Sequence, residues 1–209
     1  LETIAPVFFR NQPLGCTSTI IYQMYQEKGA AIDKKTAGIL LAAIISDTLM
    51  FRSPTCTQMD RAAAEALAKI AEVDIEELAK KMFEAGSDFK KKTTEELFYQ
   101  DFKTFHTDEF DFGVAQLSAM SDVQLGMAKK KLQPYLEIAL GEQKLDAVFV
   151  MLTDILDENS EVIYAGAQAG SLLKECFGEP DESGSFYLKG VVSRKKQMIP
   201  TLMAGLQQA

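Results

Sequence analysis

Residues 146–155 read DAVFVMLTDI, and six apolar residues stand without interruption at 147–152. That run constrains the fold more than any other stretch. It is too short to cross a membrane, and it lacks the polar alternation of a strand with one wet face. Successive side chains of a strand point to opposite faces. A strand that is apolar at every position must therefore be covered on both, which is the habit of central strands in α/β sheets.

Neighbouring segments supply the rest of such a domain. FGVAQLSAM predicts a strand over Phe112–Met120, and EVIYAGA predicts another. Ser121 is placed to cap a long helix to about Gly141. A short helix follows over Gly170–Phe177. SFYLKGVVS predicts a strand pair or a bent strand, and a last helix closes the chain.

The first part of the chain has a different rhythm. Thr3–Phe9 is β-rich and predicts a short strand, broken by NQPLG. Thr17 or Ser18 can cap a helix to Lys28, with Gly29 as its stop. Asp33 caps a helix from Lys34 to about Leu49. Thr57 or Asp60 opens an Ala-rich helix to Glu72, and Asp74 caps one more to Glu84. AGSDFKKKT then combines Gly, Ser, Asp and three lysines, and reads as a linker. The expected organisation is a first unit over 1–86, a hinge over 87–92 and a compact α/β domain with a mixed sheet over 93–209.

The charge balance narrows the function. The 209 residues carry a formal charge of −8, which argues against a duplex nucleic-acid partner. It leaves room for a small anion at a local basic cluster. No apolar run reaches membrane-spanning length, so no membrane association is expected. Three cysteines, Cys16, Cys56 and Cys176, form no CxxC pair. They fit structural thiols in a reducing, cytoplasmic setting. A single histidine, His106, excludes a His-rich metal site built from this chain alone.

Four places could carry chemistry. Asp47 lies in ILLAAIISDTLMF, where an ionised carboxylate needs a compensating cap, ion pair or metal. It is either a metal ligand or a helix-end residue bonded to the amides of SPT. Lys103, in YQDFKTF, alternates with two phenylalanines and points away from them, toward solvent or toward a ligand. Asp154 ends the apolar strand and can cap the turn after it. The stretch GVVSRKKQMIP places Arg194, Lys195 and Lys196 at the start of a helix. Cations there oppose the helix dipole. A planar guanidinium fork and a mobile ammonium beside backbone amides suit a phosphate. The alternative is a solvated charge run. Successive α-helical residues point about 100° apart, so Lys196 is expected to face away from a site that holds the other two.

Taken in order, LGCTSTI, AAIISDTLMFRSPTCT, EAGSDF, TDIL and GVVSRKKQMIP resemble the family II, manganese-dependent inorganic pyrophosphatases of the DHH phosphoesterase superfamily. The resemblance spans essentially the whole chain. It implies the helical tail of a parallel-sheet DHH domain followed by a DHHA2 domain. It implies that Asp47 is a metal ligand and that Lys103, Arg194 and Lys195 bind substrate phosphate. It further implies pyrophosphate as substrate, two Mn2+ per active site with Co2+ or Mg2+ as alternatives, and a cytoplasmic homodimer.

The H-x-D-x-D and DHH motifs of the family, which hold the other metal ligands, are not in this sequence. On this reading the chain is the later part of such an enzyme. It holds no catalytic residue beyond its one metal ligand and is expected to be inactive alone. The alternatives are a DHH/DHHA2 phosphohydrolase acting on short polyphosphate, and a non-catalytic binding or assembly module.

Overall fold

The structure is a computed structural model that describes residues 6–207. The chain divides into two compact units, 1–76 and 77–209.

In the first unit, helices α1 (Thr17–Glu27), α2 (Lys34–Asp47) and α3 (Gln58–Ala71) pack on one another. Their contact is made by Ile20, Leu41, Ile44, Ile45, Ala64 and Leu67, all buried. Asp33 caps α2 as its sequence predicts. Thr57 caps α3, and Asp60 returns the bond to complete a capping box. Cys16 takes the capping position of α1, its sulfur accepting from the Ser18 amide. The strand expected over Thr3–Phe9 falls partly outside the described residues, and 6–9 form no strand.

Helix α4 (Ile75–Gly86) leads into the second unit. After it come α5 (Thr94–Phe98), β1 (Phe102–His106), β2 (Asp111–Ala119), α6 (Asp122–Leu132) and α7 (Leu136–Gln143). Strands β3 (Ala147–Asp154) and β4 (Asn159–Ala165), helix α8 (Ala169–Phe177), β5 (Phe186–Lys189) and α9 (Ile199–Leu206) complete the chain. The five strands form one sheet in the order β1-β2-β3-β4-β5. Only the β2–β3 pair is parallel, so the sheet is mixed, as expected.

The apolar run is the central strand β3, and it is buried along nearly its whole length. Val148, Val150 and Leu152 face a core completed by Leu97, Phe98, Leu132 and Leu136 from α5, α6 and α7. Phe149 and Met151 face a second core with Leu172, Leu173, Met198 and Leu202 from the other side. The period of two thus sorts one sequence run into two cores.

Two expected elements differ. The long helix from Ser121 is broken by a 3-10 turn at Gln133–Tyr135. Pro134 lacks an amide hydrogen, and its ring would strike the carbonyl four residues back in a continuous helix. The last helix begins with a π-helical turn, Arg194–Met198, in which the Ile199 amide reaches back to the Arg194 carbonyl. Pro200 explains it in the same way: a wider turn relieves the clash with the Lys196 carbonyl. The segment 87–92, expected as a linker, falls within the second unit and is held there, because Lys131 Nζ donates to the carbonyls of Phe89, Lys90 and Lys92.

Candidate functional site

The basic stretch is held by a polar ladder that crosses three strands. Residue alternation puts Gln116, Thr153 and Ser160 on the same sheet face as Val114, Met151 and Val162. Gln116 Nε2 donates to Thr153 Oγ1 and to the Val192 carbonyl, both at 3.0 Å. Thr153 Oγ1 and Ser160 Oγ share a bond of 2.9 Å, and Ser160 Oγ donates to the Val191 carbonyl. Gln197 closes the loop on itself. Its Oε1 accepts from the amides of Val192 and Ser193, and its Nε2 donates to the Gly190 carbonyl. Buried polar groups must find partners, and here Gln116, Ser160 and Gln197 find theirs in the backbone of 190–193, with Thr153 bridging the first two. The segment ahead of Arg194 is therefore fixed to the sheet.

Ser193 caps the π-helical turn through the Lys196 amide. Arg194 then turns inward, and only 7% of the residue is exposed. Its Nη1 donates to the carbonyls of Asp101 and Val114, and its Nη2 donates to Asp101 Oδ1 at 2.7 Å. For Arg194 this removes the alternative of a solvated charge run. The Nε–H has no partner among the described residues. No buried side-chain nitrogen or oxygen is left unpartnered there, so Nε reaches solvent. Asp101 and Val114 occupy the far end of the guanidinium. The donors left without a partner among the described residues are Nε–H and one hydrogen of Nη2, on the side edge of a guanidinium that is only slightly exposed.

Lys103 is brought to the same place. It pairs with Val114 across β1 and β2, and the Val114 carbonyl is one that Arg194 holds. Its side chain lies on the face opposite Phe102 but on the same face as Phe105, two residues on, which corrects the expectation that it points away from both phenylalanines. It is exposed and has no partner among the described residues. Lys195 and Lys196 are also exposed and unpaired there. The expectation that Lys196 alone faces away rests on α-helical spacing, and the π-helical turn removes that basis.

Asp47 is the last residue of α2, in the first unit. It is exposed, and no amide of the SPT stretch bonds it among the described residues. Burial first, and then a hydrogen bond to the Asp47 carboxylate, push the Cys16 thiol up to about 11. The backbone just beyond Asp47 is strained: Leu49, Met50 and Phe51 all have positive φ, at 48°, 51° and 67°. Three such residues cost about 1–2 kcal/mol each. Buried Thr48 offsets this, because its Oγ1 donates to the Ile44 carbonyl and accepts from the Phe51 amide. Arg61 clamps the far side, with Nη2 on the Phe51 carbonyl and its guanidinium 5.0 Å from the Phe51 ring centre. An exposed carboxylate beside a rigid turn, with the Cys16 thiol as a neighbouring donor, fits a hard divalent cation as one ligand of several.

Asp154 does what its place at a strand end suggests. Its Oδ1 accepts from the amides of Leu156 and Asp157. With Asp122 and Asp157 it makes an acidic cluster. A hydrogen bond to Asp154, and then the Asp154 charge, push the Asp122 carboxyl above its ordinary value.

Residues 80–204 match the DHHA2 domain family. The manganese-dependent inorganic pyrophosphatase of Methanothrix thermoacetophila is 39% identical over 209 residues, covering 100% of this chain and 67% of its own length. The enzyme of that name from Bacillus subtilis is 41% identical over 201 residues, covering 96% of this chain and 65% of its own. The chain belongs to the manganese-dependent inorganic pyrophosphatase family. A solved Methanococcus jannaschii structure assigned to the family II inorganic pyrophosphatases superposes with a TM-score of 0.82 at 32% identity. It covers 99% of this chain, which covers 70% of it. The chain thus spans about two thirds of the length of the curated relatives it matches.

Sequence reasoning singled out the three cations as candidates and missed what holds Arg194. Asp101 stands two residues before Lys103, and Gln116 is a polar residue in the interior of a mostly apolar strand. The second is a usable signal, since a polar side chain on a buried strand must have a partner. The first is not, because nothing local marks Asp101 as the counter-ion of a residue 93 positions away.

Proposed function

We propose that this chain is the substrate-gripping part of an enzyme that hydrolyses inorganic pyrophosphate to two phosphates. Arg194, Lys195 and Lys103 bind the phosphate oxygens. Asp47 holds one of two manganese ions, which when bound supply an activated water for the attack. Phosphoryl transfer asks the protein mainly for position and charge. An arginine edge binds two oxygens at once, and mobile ammonium groups spread further positive charge over the rest. We read the whole protein as a cytoplasmic homodimer. No helix among the described residues is long and apolar enough to cross a membrane.

One observation carries this reading. On a chain of charge −8, Lys103 and Lys195, exposed and without partners among the described residues, accompany an arginine that keeps two unspent N–H donors, and the segment leading into that arginine is fixed by a buried polar ladder. A solvated charge run needs no ladder beneath it.

Calorimetric titration of the 209-residue chain with pyrophosphate tests it. The expected result is saturable binding that weakens as salt rises. With manganese present, the chain alone is expected to give no turnover above a protein-free blank, because Asp47 is a single ligand for a two-metal site. No binding, or binding unchanged in Lys103→Ala and Lys195→Ala, contradicts the assignment of the cations.

A further inference from the structure

Arg194 is a buried cation with a divided set of donors. Three of its N–H groups are spent on the Asp101 carbonyl, the Asp101 carboxylate and the Val114 carbonyl. A guanidinium carries five, so two remain, and they are neighbours on one edge. A side chain with this many rotatable bonds has many poses. Burial restricts these poses, and the grip on its far end fixes the orientation of the guanidinium plane. The Val114 carbonyl belongs to the central part of the sheet and is set by β2. Asp101 supplies the other two acceptors from the 3-10 turn that leads into β1. One of these is a charged oxygen at 2.7 Å, and charge-assisted bonds of this kind are the stronger sort. Asp101 is half-exposed while the guanidinium is almost wholly buried, with side-chain exposures of 47% and 8%. The carboxylate can thus stay hydrated while it neutralises the cation.

We propose that Asp101 is a positioning residue for anion binding. It anchors the far end of the Arg194 guanidinium, so that the Nε–Nη2 edge is presented beside Lys103 as a preformed two-point seat for phosphate oxygens. The role rests on the assignment of Arg194 as a phosphate ligand. It adds a residue that touches no substrate and acts only through another. The chain path adds a second consequence. Asp101 and Lys103 are separated by one residue, so the anchor of the arginine and the second cation share one short segment. The relative placement of the two cations is set locally, and not by the distant loop alone.

A double-mutant cycle on the 209-residue chain tests this, with pyrophosphate as titrant. The variants are Asp101→Asn, which keeps shape and removes charge, Arg194→Lys, and the pair together. Each single change is expected to weaken binding about tenfold, and the double change no more than either single one. The melting temperature serves as a control. The free arginine signal supplies a readout that a purely structural role does not move. The chain has only four arginines, so the Arg194 Nε–H resonance can be assigned. It is expected to be sharp in the parent and exchange-broadened in Asp101→Asn.

If Arg194→Lys weakens binding while Asp101→Asn does not, or if the two losses simply add, the positioning role is overturned and the assignment of Arg194 stands. If Arg194→Lys leaves binding unchanged, the assignment falls and the positioning role falls with it. If Asp101→Asn lowers the melting temperature but leaves both affinity and the Nε–H signal as they were, Asp101 is a structural ion pair, which also overturns the proposal.

Discussion

Asp60 and Arg194 are both charged and both buried, one in each unit, and they are treated in opposite ways. The Asp60 carboxylate accepts from the amides of Gly15, Cys16 and Thr57 and from the hydroxyls of Thr19 and Thr57. Five donors saturate it. Arg194 is held at one end and left open at the other. Burying a charge costs several kcal/mol unless its surroundings compensate. Full compensation makes a structural joint, here between the starts of α1 and α3. Partial compensation, on an edge that reaches solvent, makes a seat. The difference between the two residues is the number of donors or acceptors left over, not their burial.

The comparison can be broken most severely at Asp60. Asp60→Ala leaves five donors facing a gap, and is expected to cost roughly 3–5 kcal/mol in a denaturant titration, with pyrophosphate affinity little changed in the fraction that stays folded. The pH dependence is the finer test. Burial pushes the Asp60 carboxyl up, but the bonds from Thr19, Thr57 and Gly15 outweigh it and hold it below its ordinary value. A depressed folded value means stability that is complete above the unfolded value of about 3.9. It is lost as pH falls through the lower folded value. The parent chain is therefore expected to lose stability below about pH 4, and Asp60→Asn to show a shallower acid slope. Equal slopes contradict the structural role.

A smaller effect separates the exposed cations. Lys195→Ala is expected to weaken pyrophosphate binding about ten- to a hundredfold, as loss of a charge-assisted contact does. Lys196→Ala reads out where the wider turn aims that side chain, and melting temperature is expected to be unmoved in both. The π-helical turn sharpens this pair. Equal losses in the two variants show a diffuse electrostatic attractor, and a larger loss at Lys196 shows that the wider turn aims that side chain at the anion.

How much of this the sequence could tell depended on whether the cause was local. The burial of β3 was written in its own six apolar residues, and the caps of α2 and α3 in Asp33 and Thr57. Strand β1 was not written so plainly. Its five residues include Lys103 and His106, both exposed. The strand is held by pairing with β2 and by the Phe102 ring lying against Gly113, where a Cβ would come within 2.3 Å of the ring. Pro134 and Pro200 did carry the signal for the broken helix and the π-helical turn, since both lack an amide hydrogen. The site residues divide in the same way. The cations were visible as residue types, and the resemblance to the pyrophosphatase family gave them a role. The inward turn of Arg194 was not visible, because Asp101, Val114 and Gln116 reach it from more than 75 positions away. Asp47 shows the limit from the other side. Its exposed carboxylate is what a metal ligand requires, and the left-handed run 49–51 beyond it has no sequence signal such as glycine.

The central claim is that the open edge of Arg194 is where pyrophosphate is gripped. The most direct measurement is the Arg194 Nε–H resonance of the 209-residue chain during a pyrophosphate titration. A new charge-assisted bond to a phosphate oxygen is expected to shift it downfield, and the shift should saturate along the calorimetric binding curve. A resonance that stays in place while pyrophosphate binds would show that the anion sits elsewhere, and that Arg194, like Asp60, is only a structural charge.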